Sequence, residues 1–329
     1  MIQSSSAVRS ILAACFLAVA AFAGSSHAQP AAYPSKTVRV IVPFPAGGLV
    51  DGMARILMPE ISRSIGQSIV VDNRSGASGS IGAAAAAQSP ADGYTLLLVL
   101  DSHAINPLVY KTLPYDTDKD FVPISLIARA PMVAVANENF PPNNMTELVK
   151  YARQHPNAVN FASVGAGSAS HLTAELFNMT ANVSMTHVPY KGGAPAQTDL
   201  MAGQVQVMWG TAPYAQSLVN AGKLKALGQA SAARSPAFPA LPTVAEQGLP
   251  NFEAYGWIGL LAPAGTAPGI VAFWNQQIAK AMKNPDIAKR LGDQGFEVVV
   301  SSPERFGAFI QSEQKTWAKV IREKSIPLQ

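Results

Sequence analysis

Residues 37–51 read TVRVIVPFPAGGLVD, and the two ends of this stretch follow different periodicities. Thr37 to Phe44 is rich in β-branched and apolar side chains, the composition of a buried strand. From about Leu49, Val50, Met53, Ala54, Leu57, Met58, Ile61 and Ile65 recur every three or four positions, which marks one face of a helix. Pro59 falls inside that pattern and is expected to kink it. Between the two lies Pro45-Ala46-Gly47-Gly48, a glycine turn. A strand that turns through glycine into a helix opens an α/β sheet.

The alternation continues outward. Ser68 to Val71 and Thr95 to Leu100 read as further strands, the second introduced by the turn Ala91-Asp92-Gly93, and Ala83 to Ala87 reads as a tightly packed helix. After Pro131 the pattern restarts with strands at Met132–Ala136, Val159–Ser163, Met185–Pro189, Val205–Trp209 and Leu224–Gln229. Helices are predicted between them at Met145–His155, Ser168–Met179, Pro195–Ala202 and around Tyr214–Ala221. Beyond the proline-rich stretch Pro236 to Pro250, Trp257–Ala262 reads as a strand. Two long amphipathic helices follow, one over Pro268 to about Leu291 and one over Pro303–Lys324. Strand, helix and strand joined by short loops imply parallel, doubly wound sheets, here in two units.

The first 28 residues stand apart. Arg9 precedes an apolar run over residues 11–24, and Ser26-His27-Ala28 places small residues two apart. That is the order of a secretory leader cut after Ala28, with export to the periplasm as its consequence. Leu12-Ala13-Ala14-Cys15 also spells an acylation box, but the apolar run continues past Cys15 instead of ending there. The run is too short for the ~20 residues of a membrane-spanning helix. Removing 28 of 329 residues leaves 301, and the single cysteine goes with them. The mature chain then has neither disulfide nor thiolate chemistry.

Composition narrows the function. Apolar residues make up 48% and charged residues 13%, against about 25% charged in an average domain. Disorder is excluded by that balance. The net charge of +4 contains no run of four or more basic residues, which excludes a polybasic nucleic-acid binder.

Catalytic signatures are missing. No Gly-x-Ser-x-Gly elbow occurs, since Gly76-Ala77-Ser78-Gly79-Ser80 lacks the last glycine, and there is no HExxH or phosphate-binding GK[ST]. The histidines are too scattered for a zinc site. His155, before Pro156, reads as a helix-end cap and His187 as a strand residue of the core, while His103 and His171 follow loops at strand ends and could line a cleft or pack beneath it. No cofactor is expected.

Two loops carry the binding chemistry. Phe44 to Asp51 and Val164 to His171 each run from a strand through glycines into a helix start. Such a turn presents unpaired N–H groups and the positive end of the helix dipole to an anion. Glycine turns also occur simply to reverse the chain, so either loop alone is a weak signal. Gly165-Ala166-Gly167-Ser168-Ala169-Ser170 resembles GxGxxG but carries Ser at the third glycine, and no ribose-binding acid follows the next strand.

At this point several blocks in one order resemble the substrate-binding proteins of tripartite tricarboxylate transporters, also called Bug proteins. They are TVRVIVPFPAGGLVD at 37–51, VDNRSGASGSIG at 71–82, DGYTL at 92–96, HAINP at 103–107, LPYD at 113–116, SHL at 170–172, HVPYKG at 187–192, PTVAE at 242–246 and LAPAGT at 261–266. The resemblance covers nearly all of the mature chain. It implies a periplasmic Venus flytrap: two doubly wound α/β lobes, residues 29–129 plus 254–329 and residues 130–253, joined by hinge strands near Ile127–Met132 and Phe252–Gly256. It implies no enzyme. The implied role is capture of a small carboxylate for membrane permease subunits of such a transporter, or alternatively presentation of the closed form to a histidine kinase, by a monomer that binds no nucleic acid.

By the same resemblance, the ligand-binding candidates are Phe44, Ala46, Gly47, Gly48, Leu49 and Asp51 in the first loop. Ser102 and His103 join them, with Ser163, Gly167, Ser168 and Ser170 from the second loop, and Trp209, Gly210 and Thr211 at the end of a strand. Neither loop contains Arg, so amides and hydroxyls should read the anion, with Lys191 as a rim charge. Many family members end the Val205–Trp209 strand in Met-Phe-Asp, where this chain has Met208-Trp209-Gly210. Losing that carboxylate argues for a di- or tricarboxylate or an aromatic acid without an amine, stacked on Trp209 or Phe44, with room beside Gly210. Leu100-Asp101-Ser102 also departs from the small polar residues common there.

Overall fold

The computed structural model describes residues 33–329; the expected leader, its cut after Ala28 and Cys15 lie outside the described residues. The chain opens with β1 (Val38–Val42), α1 (Leu49–Ile65), β2 (Ile69–Asn73), a single 3₁₀ turn (Ala77–Gly79), α2 (Ser80–Ala87), β3 (Thr95–Leu100) and α3 (Ser102–Val109). Both β2 and β3 pair with β1 in parallel, as the alternation predicted. α1 continues past Pro59 to Gly66, whose φ of 68° ends it in the left-handed conformation that glycine adopts at least cost.

β4 (Phe121–Asn137) then runs for 17 residues. The second unit follows as α4 (Met145–Gln154), β5 (Asn160–Ser163), α5 (Ala169–Ala181), β6 (Thr186–Pro189), α6 (Gly193–Met201), β7 (Val207–Thr211), α7 (Ala212–Asn220) and β8 (Leu224–Gln229). The chain returns through β9 (Tyr255–Pro263), α8 (Pro268–Met282), α9 (Pro285–Asp293), β10 (Glu297–Val298) and α10 (Pro303–Glu323).

Strand order across the sheet is β2-β1-β3-β9-β4-β7-β5-β6, with β8 and β10 also pairing β4. The pairing is mixed, which corrects the all-parallel expectation. β9 lies antiparallel between β3 and β4, and β4 is antiparallel to β7 and β8. β4 changes partners along its length: Phe121 to Pro131 pair β9, and from Met132 onward it pairs β7. Beside this switch the backbone cross-links at Met132 N–H to Ala254 O, Ala230 N–H to Met132 O and Ala254 N–H to Ala230 O. The two α/β halves thus share continuous strands.

Each half has its own apolar core. One gathers Ile41, Leu97, Val99, Trp257, Leu261 and Phe306; the other gathers Phe161, Leu172, Phe177, Val207, Trp209 and Phe252. α10 serves both, placing Phe306 in the first core and Trp317 and Val320 in the second. Past its end Lys324 Nζ sits 3.2 Å from Glu175 of α5. The single helix expected over Pro268–Leu291 is two, because Asn284 accepts from Asp286 N–H as a cap and Pro285 starts α9.

Candidate functional site

A cavity of about 420 Å³ opens where the ends of β3 and β7 meet the loop before α5. Of the expected site residues, Phe44, Ser102, Gly167, Ser168, Ser170, Trp209, Gly210 and Thr211 line it. Ala46, Gly47, Gly48, Leu49, Asp51, His103 and Ser163 are not in its wall.

The loop before α1 is held by its own carboxylate. Asp51, 1% exposed, accepts from Gly47 N–H at 2.8 Å, Arg55 Nε at 2.7 Å and Asn73 Nδ2 at 3.0 Å. Those donors, Arg55 foremost, hold its pKa down to about 2. A fixed anion therefore already sits at the start of α1, and this loop reaches the cavity through Phe44.

The loop before α5 is built differently. Gly165 and Gly167 adopt φ of 145° and 71°, turning the chain sharply after β5. Ser168 caps α5: its hydroxyl donates to Gly165 O at 2.6 Å, accepts from His171 N–H at 3.4 Å and lies 3.0 Å from Ser170 Oγ. Ser170 Oγ accepts from Val164 N–H at 3.1 Å. Gly167 N–H donates to His171 Nδ1 at 3.0 Å, so the amide expected to bind an anion is held by an imidazole. The first-turn amides of α5, at Ala169 and Ser170, have no intrahelical acceptor and belong to residues in the cavity wall.

Beneath this loop His171 and His187 stack with centroids 3.7 Å apart, and His187 Nε2 meets Ser163 Oγ at 2.6 Å. Ser163 Oγ also accepts from Gly165 N–H at 3.2 Å and lies 3.0 Å from Gly165 O, so this hydroxyl ties His187 to the loop. Burial lowers both histidine pKa values to about 4, helped at His187 by the neighbouring His171. His187 is therefore part of the loop's support and not only a strand core residue. His103 turns the other way, stacked on Tyr115 at 6.0 Å and edge-on to Phe121 at 5.1 Å, and burial takes its pKa to about 3. His155 caps the end of α4, its Nδ1 3.0 Å from Tyr151 O.

At the end of β7 two expectations are corrected. Trp209 is fully buried, its indole packed against Phe177 and Phe252 at centroid distances of 5.9 and 5.6 Å. Its faces are taken, so it is a wall and offers no stacking platform. Its Nε1 has no hydrogen-bond partner. No space is open beside Gly210 either: a Cβ there would lie 2.5 Å from Cδ1 of Tyr214, whose ring fills it.

The wall also contains Ser78, Asp101, Asn106, Tyr110 and Tyr214, which residue patterns did not single out as binding groups. Ala77 and Ser78 both adopt left-handed φ, 46° and 52°, a strained pair of the kind that clusters at functional sites. Asn106 Nδ2 donates to Ser78 O at 3.1 Å and Tyr110 OH donates to Ser78 Oγ at 3.1 Å, which fixes the strained turn. Its only sequence signal was the incomplete glycine elbow at 76–80. Among the described residues no Lys, Arg or His side chain lines the cavity, and Lys191 is exposed elsewhere.

Known proteins share this chain's sequence pattern and fold. The family model described as the tripartite tricarboxylate transporter family receptor matches residues 53–326. A protein in the tcbD-tcbE intergenic region of Pseudomonas sp. strain P51 is 40% identical over 93% of this chain and 92% of its own length. BugT of Bordetella pertussis is 38% identical over 95% and 96%. Among solved structures, an R. palustris protein with adipate superposes with a TM-score of 0.81 at 36% identity, covering 90% of this chain and all of that one. MatC from Rhodopseudomonas palustris with bound malate gives 0.76 at 35% identity over 88% of this chain and all of its own.

Proposed function

The chain belongs to the tripartite tricarboxylate transporter receptor family, whose members are solute-binding proteins and not enzymes, and we propose that it captures a small carboxylate without an amine in the cavity described above. The observation that carries this reading is the start of α5 opening into a cavity walled otherwise mainly by apolar side chains and, among the described residues, by no cationic one. The Ala169 and Ser170 amides and the Ser170 hydroxyl would make the anion-binding end, with the Ser168 hydroxyl holding the loop through Gly165 O. Charge-assisted hydrogen bonds contribute about 1.5–3 kcal/mol each and a helix start about 0.3–1 kcal/mol. Three or four such contacts approach the ~8 kcal/mol of a micromolar complex.

Phe44, Leu100, Ile105, Met132 and Met208 suit the aliphatic or aromatic body of such an acid. The relatives with adipate and malate supply the class of ligand by analogy. Lobes of residues 29–129 plus 254–329 and of 130–253 would close on the ligand about β4 and the 252–256 segment. Contacts from both would favour the closed state. The mature protein, cut after Ala28, would act as a periplasmic monomer and hand the ligand to permease subunits of a tripartite tricarboxylate transporter.

A thermal-shift panel of adipate, malate, benzoate, hexanoate, aspartate and glutamate tests the reading. Stabilisation by amine-free acids is expected. Stabilisation by aspartate or glutamate alone would overturn it.

A further inference from the structure

Among the described residues Asp101 is the one carboxyl side chain in the cavity wall. It ends β3 and precedes α3, on the half of the chain opposite to the one that supplies the α5 loop. A Cβ placed on Gly256 of β9 would come within 3.3 Å of its Oδ2 and 2.5 Å of the Thr211 methyl, so strand ends from β7 and β9 enclose it. Behind it on α10 lies Glu313, held by the indole N–H groups of Trp257 and Trp317, each at 3.2 Å. Burial first, then the charge of Glu313, pushes the Asp101 pKa up to about 7, and burial raises that of Glu313 as well.

We infer that Asp101 is a specificity-determining residue that admits the second carboxyl of a dicarboxylate only with a shared proton, so that dicarboxylate binding is coupled to proton uptake. The inference rests on the carboxylate reading above and goes beyond it to the far end of the ligand. Asp101 and a ligand carboxylate cannot both be ionised at hydrogen-bond distance without a cation, and no cationic side chain lines this cavity. One proton between them makes an O–H···O⁻ bond, a short and strong type. Glu313 from α10 opposes ionisation of Asp101 further. Of the other ionisable groups nearby, Tyr214 is pushed up to about 12 by burial, Tyr110 OH donates to Ser78 Oγ, the backbone of Gln329 pairs with Val109 and Lys111, and His103 faces Tyr115 and Phe121. A ligand offering a hydroxyl donor to an ionised Asp101 would show the opposite pH trend.

The test is calorimetry of adipate and hexanoate between pH 6 and 8, in buffers of different ionisation heat, with wild type and Asp101→Asn. For wild type, adipate should take up close to one proton at pH 8 and weaken about fivefold from pH 7 to 8, while hexanoate does neither. In Asp101→Asn, adipate should bind without that slope. Adipate binding with no proton uptake, or uptake that persists in Asp101→Asn, overturns the inference. Should that variant not fold, the adipate–hexanoate contrast in wild type decides alone. Hexanoate binding while adipate fails at every pH sinks this inference and leaves the carboxylate reading intact; failure of both acids sinks the reading as well.

Discussion

The stacked pair His171 and His187 makes the α5 loop acid-labile, and the size of the effect can be worked from the structure. Nδ1 of His171 must be bare to accept from Gly167 N–H, and burial takes both imidazoles down to about 4. An unfolded histidine titrates near 6.5. The stability gained by keeping the folded imidazole neutral is complete above that value and is lost as pH falls toward the folded pKa. At pH 5 the loss is about 2 kcal/mol for a fully enclosed imidazole. His171, with its side chain 6% exposed, should show most of that, and the more open His187 about half, so the pair should cost about 3 kcal/mol. Asp101 works against this, since its raised pKa is a destabilisation that protonation relieves, by up to ~2 kcal/mol between pH 7 and 5. The wild-type curve alone is therefore shallow, and a difference between proteins isolates the pair. Gln at both positions can keep the hydrogen bonds to Gly167 N–H and Ser163 Oγ without titrating. Urea unfolding at pH 7.5, 6 and 5 should show His171→Gln/His187→Gln losing about 3 kcal/mol less than wild type on acidification. Parallel curves for the two proteins, or imidazole pKa values near 6.5 by NMR, would refute the reasoning.

Three further outcomes follow from the same contacts. Ser168→Ala and Ser170→Ala each remove a hydroxyl at the anion-binding helix start and should weaken carboxylate binding by about 1–3 kcal/mol in calorimetry; unchanged affinity in both would place the anion elsewhere. Gly259→Ala sets a Cβ 2.0 Å from the Phe306 ring, backed by the core of the first half, and should lower the urea midpoint by the upper part of about 1–3 kcal/mol; wild-type stability would show that the ring moves freely. Asp51→Asn gives up a carboxylate that Arg55 and Gly47 N–H hold in its charged form. That stability is present above pH 4 and lost as pH falls toward 2; because Arg55 is exposed, the variant should lose about 1 kcal/mol at pH 7, and the same deficit at pH 2 would refute the ionic cause.

Much of the fold was legible because it is local. The turn from β1 to α1 and the loop from β5 to α5 each carry their strand, glycines and helix face within some fifteen residues, a span that periodicity can read. β4 was legible only in its last third. Pro123 and Pro131 argue against a strand, since proline cannot donate to a ladder. In the structure Pro123 sits at a register shift against β9 and Pro131 at the last pair before β4 changes partner. Proline is tolerated at such irregular positions. Strand direction was illegible for a different reason: a fully buried strand such as β9 looks the same whether its neighbours run with it or against it.

The site divides along the same line. Ser168 and Ser170, which line the cavity, were legible because a helix start is written in consecutive residues. The turn at Ala77-Ser78 and the hydroxyl and amide that pin it come from segments about thirty residues apart, and Asp101 meets Glu313 across more than two hundred. Nothing local marks those pairs. The missing carboxylate at Gly210 removes one partner for an ammonium group, yet Asp101 brings a carboxyl to the same cavity from the opposite half of the chain. Charge in a closing cleft is a property of both walls, so it can move from one lobe to the other while either wall, read alone, suggests it has gone.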